Sequence, residues 1–230
     1  MSPARLRRTA VAWALVLTAL AVLLGSAVNQ GSLRFSDRVL LLIAQAPVSD
    51  LLDRVMLLVS LLGSVEVTGV MVLLLVLLVR AEKPLGWQRW VPLGVFVLLT
   101  LIEVAAKFVV HQPVPPLEFV RVRQKLGLGM ETPFSFPSGH MTRVTMIFGL
   151  VALRLVRRSG RQAWLWVCVA AVWIIGYSRV YLGEHWPADV AGGILLGAAG
   201  LALCLALSPV GSVGDRPTDR PTGPASATGR

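Results

Sequence analysis

Long apolar runs dominate this chain and decide what it can fold into. The stretch from about Thr9 to Val28 contains no charged residue, and comparable runs cover about Val55–Val79, Val91–Val110, Ser138–Val156, Ala163–Tyr177 and Pro187–Leu207. Most approach the roughly 20 residues that an α-helix needs to cross a hydrocarbon core of about 30 Å. They are apolar all round rather than along one stripe, which excludes a soluble helical bundle with a wet outer face. The composition agrees: 55% of the residues are hydrophobic and 15% charged, with a mean hydropathy of +0.72, too apolar for a soluble domain of this length. The expected fold is an all-α, polytopic membrane helical bundle with six transmembrane helices.

The first run follows Arg5, Arg7 and Arg8, the pattern of a signal peptide. It is long, however, and lacks a convincing small-x-small cleavage site, so we read it as a retained anchor. Between the first two runs, Arg34 to Asp53 mixes Asp37, Arg38 and Asp50 with apolar residues. This reads as an interfacial amphipathic helix broken at Pro47. After Ser208 the chain turns to Pro, Gly, Ser, Thr, Asp and Arg, which cannot build a core. Residues 1–208 are therefore expected to form the six-helix membrane domain, and 209–230 a disordered cytoplasmic tail.

The net charge of +10 would suggest nucleic acid in a soluble protein. Here the basic residues fall largely between apolar runs, so membrane topology accounts for them and no nucleic-acid partner is expected. Arg5, Arg7 and Arg8, then Arg80, Lys83 and Arg89, then Arg157, Arg158 and Arg161 share one face. The positive-inside rule makes that face cytoplasmic, together with both termini. The loops His111–Pro137 and Ser178–Trp186 then lie on the opposite face. Cys168 and Cys204 sit inside apolar runs without ligand spacing and read as small buried hydrophobes.

Two motifs sit where these non-cytoplasmic loops meet membrane helices. In Pro137-Ser138-Gly139-His140, a proline and a capping serine precede an apolar run, which marks a helix start. First-turn amides and the helix dipole favour an anion at such a place, and Gly139 allows its close approach. His140 projects from the first turn, placed to give a proton to a leaving oxygen. An ordinary capped helix with an interfacial histidine would show the same pattern. The second motif, Ser178-Arg179-(five residues)-His185-(three residues)-Asp189, makes that plainer reading less adequate. Arg179 brings a planar, permanently charged fork that suits phosphate. Pro187 suits the first helical position, so Asp189 falls in the first turn within reach of His185. A carboxylate fixing one imidazole nitrogen leaves the other basic and nucleophilic. The competing account is an interfacial His185–Asp189 ion pair, with Trp186 as a belt anchor.

These blocks, spread over an expected six-span layout, resemble the type 2 phosphatidic acid phosphatase family of integral-membrane lipid phosphatases, whose core is related to vanadium haloperoxidases. The resemblance implies a vanadium haloperoxidase/acid phosphatase-like core. It implies that His185 attacks phosphorus to form a phosphohistidine, that Asp189 orients it, and that His140 protonates the leaving group. Lys107, Ser138, Gly139 and Arg179 would bind phosphate oxygens. Fixed cations and amides would neutralise the transferring group, so no metal or other cofactor is expected. A zinc site from His111, His140 and His185 is disfavoured, because cations surround them and their spacing is not that of ligands.

The chain departs from the family at one position. The family's lysine block carries Arg-Pro seven residues after the lysine, whereas Lys107 is followed there by Val114-Pro115. Losing such a donor removes on the order of 3 kcal/mol of transition-state stabilisation. Arg143, one helical turn beyond His140 in an apolar span, is the candidate replacement ligand. An ion pair of Arg143 with Glu66 or Glu103 is the structural alternative, and Glu103 can also pair with Lys107 four residues on. The cluster Arg121, Arg123, Lys125 reads as a solvated or headgroup-facing loop. His111 reads as an interfacial histidine.

The expected function is hydrolysis of a lipid phosphate or diphosphate, with a prenyl diphosphate such as undecaprenyl diphosphate as first choice by family analogy. The expected partners are that substrate and the surrounding membrane lipids. Phosphatidic acid and phosphatidylglycerol phosphate stay open as substrates, and the residues leave the oligomeric state undetermined. A phosphotransferase that passes the phosphoryl group to an alcohol, and a noncatalytic lipid-phosphate binder, stay open as activities. A haloperoxidase is disfavoured, since that activity is expected of a soluble chain.

Overall fold

The computed structural model describes residues 2–82, 87–122 and 132–207. Eight α-helices follow one another: α1 (Pro3–Asn29), α2 (Arg34–Gln45), α3 (Asp50–Leu61), α4 (Val65–Glu82), α5 (Val91–Val109), α6 (Gly139–Ser159), α7 (Ala163–Tyr181) and α8 (Pro187–Leu207). Short 3-10 turns at Trp87–Trp90 and Leu117–Phe119 complete the helical structure. Among the described residues the extended structure is limited to one isolated bridge, Pro113 to Phe134. Local chemistry places several boundaries. Pro3 opens α1 behind the capping Ser2; Ser49 Oγ accepts the Leu52 N–H at 3.1 Å; and Gly160, at φ 67°, closes α6 through its N–H to Val156 O.

Among the described residues, five helices are long and apolar enough to cross a membrane, and six spans result if α3 and α4 count as one bent span. The chain is thus a multi-pass membrane protein built as an all-helical bundle. Two expected boundaries need correction. The second span, expected to run unbroken over Val55–Val79, bends by 44° between α3 and α4. The bend falls at Gly63-Ser64, where Ser64 starts a new helix by accepting the Val67 N–H at 3.2 Å. The amphipathic stretch breaks around Pro47 as expected, between α2 and α3, with α3 forming part of the bent span. At 12 residues, α2 reaches only about 18 Å, too short to cross. The Ser178–Trp186 loop is also shorter than expected, because α7 continues through Arg179 to Tyr181. Lys83, Arg123, Lys125 and the tail 209–230 lie outside the described residues.

Helix α8 is the axis of the bundle, with α1 along one side and α6 along another. Inside a membrane apolar side chains gain little by leaving lipid, so close packing of small residues must hold helices together. Glycines on α8 supply it. A Cβ at Gly193 would lie 2.5 Å from Ser138 O, one at Gly197 2.4 Å from Thr142 O, and one at Gly200 2.3 Å from Leu99 Cδ1. At Gly193 and Gly197 the backbone of α6 and its start therefore approach α8 at distances that alanine would disturb, whereas at Gly200 the neighbour is a Leu99 side chain that can shift. Val72, Val95, Leu99, Met146, Ile147 and Leu196 fill the space beyond.

Candidate active site

The two motifs meet where α5 and α7 end and α6 and α8 begin. The Ser138 N–H donates to Asp189 O at 3.0 Å, pinning the start of α6 to the first turn of α8. Between α7 and α8, Gly183 takes φ 72°, a conformation that suits glycine. The reversal lets the N–H groups of Glu184 and His185 donate to Arg179 O at 3.1 and 3.3 Å. Arg179 and His185, six residues apart in sequence, are thereby folded onto each other.

His185 is buried, and its Nδ1 lies 3.3 Å from Asp189 Oδ2. That oxygen also accepts the Trp186 N–H at 2.9 Å, so with an ionised carboxylate Nδ1 is the donor and Nε2 carries the lone pair. Burial, then the charge of Arg179, holds the imidazole well below the ordinary histidine range, favouring the neutral ring. His140 is half-buried in the first turn of α6. Its ring lies on Gly63, where a Cβ would come within 2.8 Å of its Cδ2. It shares electrostatic reach with His185, Arg179, Arg143 and Lys107.

The cations are countered in two groups. Glu103 Oε1 accepts Lys107 Nζ at 2.8 Å, and Glu103 Oε2 accepts Arg143 Nη1 at 3.1 Å. Both pairings foreseen for Glu103 thus occur at once, and Arg143 is engaged by this carboxylate. The same carboxylate fills the space over Gly139, where a Cβ would come within 2.5 Å of it. An anion does approach the Ser138-Gly139 helix start: it is the carboxylate of Glu103. Arg179 is buried on the other side, with Nη1 donating to Ser60 Oγ and Nη2 paired with Glu184. Buried Ser138 Oγ, Arg143 Nε and Arg179 Nε have no hydrogen-bond partner. Buried donors without partners suit an anionic ligand, although the acceptor Asp189 Oδ1 is also without one.

Other candidates fall elsewhere. Val114 is 48% exposed and His111 stacks edge-on against Phe134 at 4.8 Å. Arg121 is bound to Asp53 at 2.7 Å and lies over the Tyr181 ring, so it fastens the loop between α5 and α6 to α3 and α7. The described residues contain no group of three or more His, Cys, Asp or Glu side chains suited to a metal ion. Sequence reasoning missed three supports: Ser60, Glu184 and Asp37. Asp37 of α2 accepts the Ala188 N–H at 2.9 Å and Gln112 Nε2 at 3.2 Å. It caps α8 from a distant helix, and burial pushes its carboxyl up. Its signal was an acid within an otherwise apolar helix face. Glu184 sits beside His185 in sequence, but nothing local tells where it points.

Known proteins share this fold. A solved transmembrane PAP2-type phosphatidylglycerolphosphate phosphatase from Bacillus subtilis superposes with a TM-score of 0.70, covering 83% of this chain and 93% of that one at 22% identity. Among curated relatives, an undecaprenyl-diphosphatase from Sulfolobus acidocaldarius is 36% identical over 45% of this chain and 47% of its own length. A decaprenylphosphoryl-5-phosphoribose phosphatase from Mycobacterium tuberculosis is 33% identical over 51% of this chain and 68% of its own length. The chain thus spans about half of the Sulfolobus protein. Lys107, Ser138, His140, Arg179, His185 and Asp189 all fall within residues 88–210, the stretch that matches the PAP2 superfamily, and with more than half of its length so matched this chain belongs to that superfamily.

Proposed function

We propose that this protein is an integral-membrane lipid phosphatase that releases phosphate from a lipid phosphate or diphosphate through a phosphohistidine. One observation carries the reading: a buried His185–Asp189 pair lies beside a buried arginine and close to a helix start that bears a second histidine. In the first step His185 Nε2 bonds to phosphorus while the bond to the lipid oxygen breaks. His140 supplies the proton that oxygen needs. Water then attacks phosphorus, His140 takes its proton, and the bond to His185 breaks to release inorganic phosphate. Asp189 steadies the imidazolium-like ring throughout. Lys107, Arg179, Ser138 and the first amides of α6 neutralise the transferring oxygens. Arg143 contributes charge to the same cluster while bound to Glu103, which supports its part in offsetting the missing arginine at Val114.

The site end of the bundle is assigned to the non-cytoplasmic face, with both termini cytoplasmic, on the strength of the loop charges. A headgroup can enter there while its chains stay among lipids, which favours an apolar-tailed substrate. Undecaprenyl diphosphate is the first choice, supported by the name of the Sulfolobus relative. The test is phosphate release by the protein purified in detergent, from a panel of prenyl diphosphates, phosphatidic acid and phosphatidylglycerol phosphate. Turnover that His185→Ala abolishes supports the proposal. Release of phosphate at the same rate by that variant rejects it.

A further inference from the structure

The surroundings of Arg179 are only half complete. A guanidinium presents Nε and Nη2 as parallel donors along one edge, the fork that grips phosphate or carboxylate. Glu184 engages Nη2, while Nε is buried without a partner. A tetrahedral phosphate could satisfy both. The two partners also differ in freedom: the Arg179 side chain is 7% exposed and that of Glu184 31%. Glu184 is carried by the turn at Gly183 and can rotate into water. Glu103 cannot do so as readily, because it is buried between Lys107 and Arg143, each of which needs it.

We infer that Glu184 is a specificity-determining residue, a resident carboxylate that holds the Arg179 fork until a terminal phosphate displaces it. The inference rests on the phosphatase reading for the identity of the incoming anion. Its consequence is selective. The membrane around the site is full of phosphodiester lipids, each carrying one negative charge on phosphorus. Exchanging a carboxylate for another monoanion gains little Coulomb energy, whereas a terminal phosphate dianion gains more from the same cations. Glu184 thus excludes bystander headgroups at the expense of tight ground-state binding.

The test compares wild type, Glu184→Gln and Glu184→Ala in detergent, measuring inorganic phosphate binding by calorimetry and its displacement by phosphatidylglycerol. Neutral residue 184 should tighten phosphate binding about fivefold, the scale of one partly exposed ion pair. It should also make phosphatidylglycerol a competitor that the wild type ignores. Unchanged or weaker phosphate binding in both variants overturns the inference, since the carboxylate would then only orient Arg179. Binding needs no turnover, so the two readings fail separately. Tighter binding by variants of a wild type that hydrolyses no lipid phosphate overturns the phosphatase reading alone. Hydrolysis by a wild type whose variants bind no more tightly overturns this inference alone. Phosphate binding by none of the three proteins likewise overturns this inference.

Discussion

Gly193→Ala should separate the two halves of the site without unfolding the protein. Gly193 lies one turn beyond Asp189 on α8, and a Cβ there would meet Ser138 O at 2.5 Å and Met141 Cβ at 2.7 Å. Ordinary contact needs about 3.5 Å, so the start of α6 must retreat by about 1 Å. The obstruction is a backbone carbonyl and cannot rotate away. Ser138, Gly139 and His140 move with it, while His185 and Asp189 stay with α8. A displacement of about 1 Å between reacting groups can cost about a hundredfold in rate. The fold suffers less, because alanine's better helix propensity returns up to about 1 kcal/mol. The assay is phosphate release at saturating substrate, with thermal unfolding followed in the same detergent. Gly69→Ala is the control, since nothing lies within 4 Å of a Cβ there; it should keep full activity and unfold no earlier. A Gly193→Ala protein with wild-type kcat would refute the claim that glycine-mediated contact sets the alignment.

Two further outcomes follow from the electrostatics. Glu103→Gln leaves Lys107 and Arg143 without the carboxylate they share and should lower stability by about 3 kcal/mol, measured by denaturant unfolding. Adding Arg143→Met removes one of the two stranded cations and should recover part of that loss; recovery of none would show that the loss does not come from an unpaired Arg143. The depressed His185 titration sets the pH behaviour. In the unfolded chain this histidine protonates near pH 6.5, before the folded one does, so the unfolded state binds more protons as pH falls. The contribution of His185 to stability is therefore full above about pH 6.5 and is lost progressively below it. The acid limb of kcat/KM should correspondingly lie below pH 6.5 and vanish with the activity in His185→Ala. An acid limb centred above pH 7 would contradict the buried, neutral imidazole.

Much of the site could be read before folding, because its motifs are short-range. His185 and Asp189 are one helical turn apart, and Ser138-Gly139-His140 is a helix start wherever it is placed. Glu103 and Lys107 share one face of α5 at a spacing of four. What escaped local reading depended on partners distant in the chain. Ser60 meets Arg179 across 119 residues and Asp37 meets Ala188 across 151. The bend at Gly63 was invisible as well, since apolar residues continue across it and hydropathy registers no change of direction.

The order of apolar runs determined a multi-pass helical protein, and the residue types at two helix starts carried the resemblance from which phosphoryl chemistry is proposed. Both are properties of neighbouring residues and of the solvent they prefer. Only the packed bundle decided that Glu103 joins Lys107 to Arg143, that Glu184 covers Arg179, and that glycines on α8 set the distance between the histidines. Those outcomes depend on side chains meeting across helices, and no periodicity within one helix encodes which face of another it will touch.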